Sequence, residues 1–303
     1  MIVLLGAAIV LGSVVGGFMM AGGHTVTLIH LSEFIIIIGA AVGAVVVMSP
    51  KAVLIDLFRQ TARTLKGTPH GRGSYYDLFK ALYELFMLGR RSGMVALEEH
   101  VIQSDTSSIF SKYPSFQRNK HAMEFLCNAL RPIIDGKIKP DHLKMLLEIE
   151  LNAMEVEHER PVSVLNKAAD AMPGFGIVAA VLGIVITMAS IAGPIEQIGE
   201  KVAAALVGTF LGIFLSYGFM NPLVVNMEFI NLAEITYIRT IATSVIGFAS
   251  GMSPIMAIEV ARRGLPTEVK PTAEALETML KAVNQAAAAS GCPPALKRWS
   301  IYC

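Results

Sequence analysis

AMPGFGIVAAVLGIVITMASIAGPI, residues 171–195, contains no Asp, Glu, Lys, Arg or His. A bilayer core takes about 20 apolar residues per helix, so this stretch reads as a membrane span. The pattern recurs along the chain. Met1 to Ser32 carries no Asp, Glu, Lys or Arg; Glu33 interrupts; 34–50 is again free of them. Beyond Glu196, Glu200 and Lys201, 202–227 is also free of charge. Four spans are expected, at roughly 2–20, 33–50, 173–193 and 202–225. The second begins at Glu33, which places that end at headgroup level. The chain then divides into helices one and two in 1–50, a charged region in 51–170, helices three and four in 171–227, and a final charged region in 228–303.

The composition agrees. Of 303 residues, 53% are hydrophobic and 16% charged, with mean hydropathy +0.57. Soluble domains sit near 45–50% and about 25%. A net charge of +1 without a basic block excludes a disordered or nucleic-acid-binding chain. Cys127, Cys292 and Cys303 show neither a disulfide framework nor ligand spacing, and the histidines are scattered. No P-loop or nucleophile motif is present, so no enzyme, metal or cofactor is expected. Of 25 Lys and Arg, 17 lie between spans two and three, 7 after span four, one between spans three and four, and none between one and two. The positive-inside rule then puts both charged regions and both termini in the cytoplasm. Span one lacks the positive leader of a cleaved signal peptide.

The charged regions read as helical, making the whole chain all-α. Ser74 opens a run with apolar residues at Leu78, Leu82, Leu85 and Phe86. Pro140 suits a first helical turn and is followed by Leu143, Leu146, Leu147, Leu151 and Met154. Span four has no stop signal until about Gly251, so its helix continues past the membrane. A short helix follows over 254–263, and the tail from Gln285 looks weakly ordered.

The third and fourth spans hold no titratable side chain but Tyr217. Proton carriers keep acids, bases or histidines inside the bilayer. This chain offers hydroxyls there, on Thr187, Ser190, Thr209, Ser216 and Tyr217, so a carboxylate for any cation must come from a partner. Gly12/Gly16, Gly39/Gly43 and Gly208/Gly212 are each four apart, the spacing that lets helices approach closely. Pro173 is expected at the first position of span three, where a missing N–H costs nothing. Pro222 lies inside span four and predicts a kink.

Met172-Pro-Gly-Phe-Gly-Ile-Val-Ala-Ala-Val-Leu-Gly183, Val207-Gly-Thr-Phe-Leu-Gly-Ile213, Tyr217-Gly-Phe-Met-Asn-Pro222 and Leu11-Gly-Ser-Val-Val-Gly-Gly-Phe-Met-Met-Ala-Gly-Gly23 together resemble the MotA family of flagellar stator proteins. The likeness covers about 1–265. It implies a ring, a pentamer, around two MotB-type partners in the bacterial inner membrane. Each partner supplies an intramembrane Asp and a peptidoglycan anchor. Ion flow past that Asp turns the ring against the rotor protein FliG, making 51–170 the torque domain. By the same resemblance Arg90, Glu98 and Glu150 are rotor-facing, with Arg91 and Glu99 duplicating two of those signs. Pro173, Ala180, Thr209, Tyr217 and Pro222 belong to the channel and hinge. Sodium-driven relatives carry Thr on both pore-lining spans; here the matching positions are Ala180 and Thr209, which implies H+ over Na+. An ExbB- or TolQ-like energiser of an outer-membrane system is the alternative, disfavoured by the four spans and the Arg90–Glu98 segment.

Overall fold

The computed structural model describes residues 2–67, 70–189, 191 and 194–289. These are helical, with no strand among the described residues. The helices are α1 (Ile2–Met20), α2 (Leu31–Met48), α3 (Lys51–Lys66), α4 (Arg72–Ser92), α5 (Glu98–Ile102), α6 (Pro114–Gln117), α7 (Lys120–Ile134), α8 (Pro140–Met188), α9 (Ile195–Leu215), α10 (Asn221–Ala249), α11 (Pro254–Arg263) and α12 (Ala273–Ala289). Four stretches are long and apolar enough to cross a membrane: Val3–Met20, Thr25–Met48, and parts of Pro140–Met188 and Ile195–Ala249. The protein is a polytopic helical membrane protein.

The chain forms two compact units, Met1–Thr68 with Val156–Asn231 and Pro69–Glu155 with Leu232–Cys303. The first holds the apolar helices. Its interior is thin: Ile37, Ala41, Met172, Ala179 and Leu211 form one cluster, and Leu57, Val162, Leu165, Val224 and Met227 another. Most of its large apolar side chains stay exposed, among them Leu5, Ile9, Ile35, Val46 and Ile184. That is the surface expected of helices whose solvent is hydrocarbon.

α8 has 49 residues and spans about 74 Å at 1.5 Å per residue, well beyond a hydrocarbon core of about 30 Å. Pro161 and Pro173 both lie inside it. The expectation that Pro173 begins a helix is therefore corrected. The helical pattern runs through the proline because other helices satisfy the carbonyls it disturbs. Pro173 has no N–H for the Ala169 carbonyl, and that carbonyl accepts from Ser216 Oγ at 2.7 Å. One residue beyond the Glu157 carbonyl that Pro161 orphans, the His158 carbonyl accepts from Asn231 Nδ2 at 3.0 Å and Gln60 Nε2 at 3.5 Å. The kink expected at Pro222 takes the form of a π-helical turn over Ser216–Met220, joining α9 to α10, in which Asn221 N–H bonds the Ser216 carbonyl. Proline at 222 has no N–H for the Gly218 carbonyl, and the wider turn is how the helix absorbs that loss.

The second unit is a soluble-type core. Tyr75, Phe79, Leu82, Phe86, Leu130 and Ile241 are among its buried residues. Ser253 caps α11 by accepting from Met256 N–H at 3.3 Å, with Pro254 in the first turn. The helix closes on a fork: Arg262 gives two bonds to Glu259, 2.7 and 2.8 Å, and one to the Pro271 carbonyl. The Arg262 hydrogen bond is the main cause that lowers the Glu259 carboxyl from 4.5 to about 2; burial opposes it and Arg263 assists. A depressed carboxyl stabilises above its ordinary value and loses that contribution as pH falls. Melts of the full chain in detergent should therefore weaken as pH drops from 4.5 toward 2, and Glu259→Gln should flatten that slope. An unchanged slope in the variant would remove Glu259 as its source. Of the tail read as weakly ordered, residues up to 289 belong to α12. The rest lies outside the described residues, as do Ser190, Cys292 and Cys303.

Candidate functional site

The resemblance-derived residues fall into two groups, one in each unit. In the second unit, α4 ends in Gly89-Arg-Arg-Ser92, and Gly93 turns the chain at φ 87°, a conformation that strains any residue with a Cβ. A 3-10 turn over Met94–Leu97 and then α5 follow. Leu97 is fully buried, and Phe86 stacks on Phe248 with centroids 4.4 Å apart. A methyl on Gly89 would stand 3.0 Å from both Leu97 Cδ1 and Phe248 Cζ, so glycine there allows the turn to close on the core. The outcome is a rigidly backed turn whose outer face carries Arg90, Arg91, Glu98 and Glu99, all exposed. No ion pair or hydrogen bond engages these four side chains among the described residues. Exposure is shared by both members of each pair. Val95, at the tip between them, is 72% exposed, an apolar contact point that sequence reading passed over.

Glu150 lies on another element, α8, and is half-buried. Burial raises its carboxyl above the ordinary value, and nearby His121 pulls it back.

In the first unit, α8 and α9 cross in close backbone contact. A methyl on Gly176 would lie 2.9 Å from the Gly208 carbonyl oxygen. On Gly212 it would lie 2.7 Å from that of Met172, and on Gly183, 2.8 Å from Ala205 Cβ. Ala180 and Thr209 flank this crossing and are half-buried. Tyr217 and Pro222 are exposed, and Pro173 is half-buried. Of the three glycine pairs, Gly208/Gly212 makes this contact; Gly12, Gly16, Gly39 and Gly43 face nothing within 4 Å in the chain itself. Sequence spacing missed the opposing partners Gly176 and Gly183, although they too recur on one helix face. Hydroxyls in this region serve the fold: Thr187 donates to the Gly183 carbonyl at 2.8 Å, and Ser216 to that of Ala169 at 2.7 Å.

Glu33, at the start of span two, is buried within the protein. It is 5% exposed and accepts from Ser32 Oγ at 2.6 Å. Its Cγ lies 3.4 Å from where a Gly208 methyl would stand. The acid is thus packed into α9 at the level of Ala180, beside the crossing, in the space glycine leaves open.

A close glycine-lined helix crossing with one buried acid packed beside it, among four helices long and apolar enough to span a bilayer, defines a polytopic helical membrane protein. The comparisons narrow the class. A family profile described as motility protein A N-terminal matches residues 4–93, and one described as the MotA/TolQ/ExbB proton channel family matches 117–228. The chemotaxis protein LafT of Vibrio parahaemolyticus is 36% identical over 91% of this chain and 97% of its own length. Motility protein A of Salmonella typhimurium is 32% identical over 94% and 96%. Among solved structures, C. jejuni MotAB has TM-score 0.73 at 20% identity, covering 88% of this chain and 96% of that one. The flagellar MotAB stator complex from Bacillus subtilis has TM-score 0.70 at 22% identity, covering 91% and 98%. The chain belongs to the motility protein A (MotA) family. That is a family of stator and channel components, not of enzymes.

Proposed function

We propose that this chain is the ring-forming subunit of a proton-driven flagellar stator in the bacterial inner membrane, five copies surrounding a dimer of a MotB-type partner. The observation that carries the reading is the 36% identity to LafT over nearly its whole length. The two solved relatives are MotAB complexes, which supports the partner. The partner's Asp completes a path along α8 and α9 beside Ala180 and Thr209. Each charge crossing about 100 mV releases about 2.3 kcal/mol, enough to bias one conformational step. The exposed Arg90–Glu98 turn delivers that step to FliG. Surface charges suit the task because such contacts steer and release without tight binding.

Expression together with a MotB-type partner in a stator-deleted strain should restore swimming, and failure would count against the reading. In that strain Arg90→Ala should slow rotation only modestly, since one exposed pair is worth about 0–1 kcal/mol. Arg90→Glu with Glu98→Lys should nearly stop tethered cells. Undiminished rotation of the double reversal would remove this turn as the rotor contact. The ion is a separate question. A hydroxyl at Thr209 without one at position 180 supports protons, so swimming should persist when sodium is replaced by potassium. Swimming that stops on that exchange yet survives a protonophore would assign sodium instead.

A further inference from the structure

Two prolines of the first unit, Pro173 and Pro222, meet at one hydrogen bond. Proline at 173 removes the N–H that would reach the carbonyl of Ala169, four residues back. That carbonyl accepts instead from Ser216 Oγ at 2.7 Å, with both residues fully buried. Ser216 is the first residue of the π-turn that precedes Pro222, and its own carbonyl takes the wide bond from Asn221. One residue therefore closes the gap left by Pro173 and opens the turn required by Pro222.

This bond is unlike those of most helical Ser and Thr hydroxyls, and among the described residues it is the one Ser or Thr bond that reaches a backbone carbonyl on another helix. Thr187, Thr236, Thr240, Ser244 and Thr278 all donate to the carbonyl four residues back in their own helix. That is the usual habit of Ser and Thr inside helices. Ser216 instead reaches a carbonyl 47 residues away on α8. Because the pair is shut off from solvent, losing the donor would leave a buried carbonyl orphaned, a cost larger than the net value of an ordinary bond.

We infer that Ser216 is a positioning residue that couples the hydrogen-bond gap left by Pro173 in α8 to the π-turn before Pro222, through the Ala169 carbonyl. The inference rests on the stator reading. When ion passage alters the π-turn, the Ser216 bond carries the change into α8.

The test has two readouts. The first is torque per recruited stator unit, from stepwise bead speed, with fluorescent-partner counts reporting recruitment. Ser216→Ala should be recruited at the normal count, while the coupled state falls roughly ten-fold in population and torque per unit falls with it. The second is a melting cycle on the purified full complex. Ser216→Ala should lower the transition in the wild-type background. It should have little effect beside Pro173→Ala, because that substitution returns a helical N–H to the Ala169 carbonyl. Equal torque per unit in Ser216→Ala, or equal destabilisation in both backgrounds, would overturn the coupling. Ser216→Cys keeps the volume with a weaker donor and covers the case in which Ser216→Ala is not recruited. Reduced torque per unit in Ser216→Cys supports the coupling; full torque, or failure of both variants to be recruited, overturns it. Wild-type chain that fails to rotate the motor defeats the stator reading itself, whereas rotation unaffected by these variants defeats only the coupling.

Discussion

Gly212→Ala should nearly eliminate the chain from the membrane and abolish swimming. The added methyl would stand 2.7 Å from the Met172 carbonyl oxygen and 2.8 Å from Gly176 Cα. Ordinary carbon contacts lie near 3.5–4.0 Å. Both neighbours are backbone, so neither can rotate aside, and the two helices must separate. Overpacking commonly costs about 1–3 kcal/mol, and a backbone-to-backbone clash belongs at the upper end. Separation would also loosen the Ser216–Ala169 bond and the packing of Glu33 at Gly208. Gly12→Ala is the control, since a methyl there meets nothing within 4 Å in the chain and should leave its membrane level intact. Immunoblots of membrane fractions and swimming in soft agar measure both. Normal levels and swimming for Gly212→Ala would mean that the α8–α9 crossing tolerates separation.

Pro222→Ala should separate stability from function. Alanine restores an N–H for the Gly218 carbonyl and removes the cause of the π-turn. An interior proline costs a helix about 3 kcal/mol, so the variant should melt higher than wild type. Its torque should nevertheless collapse. Converting a π-turn to α shifts the following helix by about one residue, or about 100° of rotation. Val224, Met227 and Ile230 are buried on the far side and resist that turn, so the helix is stiffened in one register. Recruitment should be spared. A higher melting temperature with normal torque at high load would remove the hinge role of Pro222.

The span locations were legible because hydrocarbon tolerates almost no charge, so an uncharged run of about twenty residues marks a crossing. The limits of α11 were legible too, since Pro254 pre-sets a first turn and Gly264 ends the pattern. The exposed turn at 90–99 was marked by its charges, while its backing was not. Gly89 and Leu97 meet Phe248 from far along the chain, and only packing shows that glycine is needed there. Pro173 was misplaced for a related reason. At the edge of a charge-free run it looks like a helix start, because sequence shows the missing N–H and not the distant hydroxyl that replaces it. Glu33 was read by its position at the end of a span; its burial depends on the space at Gly208, on a helix that begins over 160 residues later.

The sequence by itself determined the membrane character, the four spans, and the lack of an acid in the third and fourth spans. Each follows from local composition, since the cost of placing a charge in hydrocarbon is set residue by residue. The tertiary structure alone decided which glycines form the α8–α9 crossing, that α8 runs unbroken through two prolines, and that the break at Pro222 is a π-turn tied to Ala169. Those outcomes depend on groups supplied by other helices, because a buried carbonyl left without its own donor must find one elsewhere.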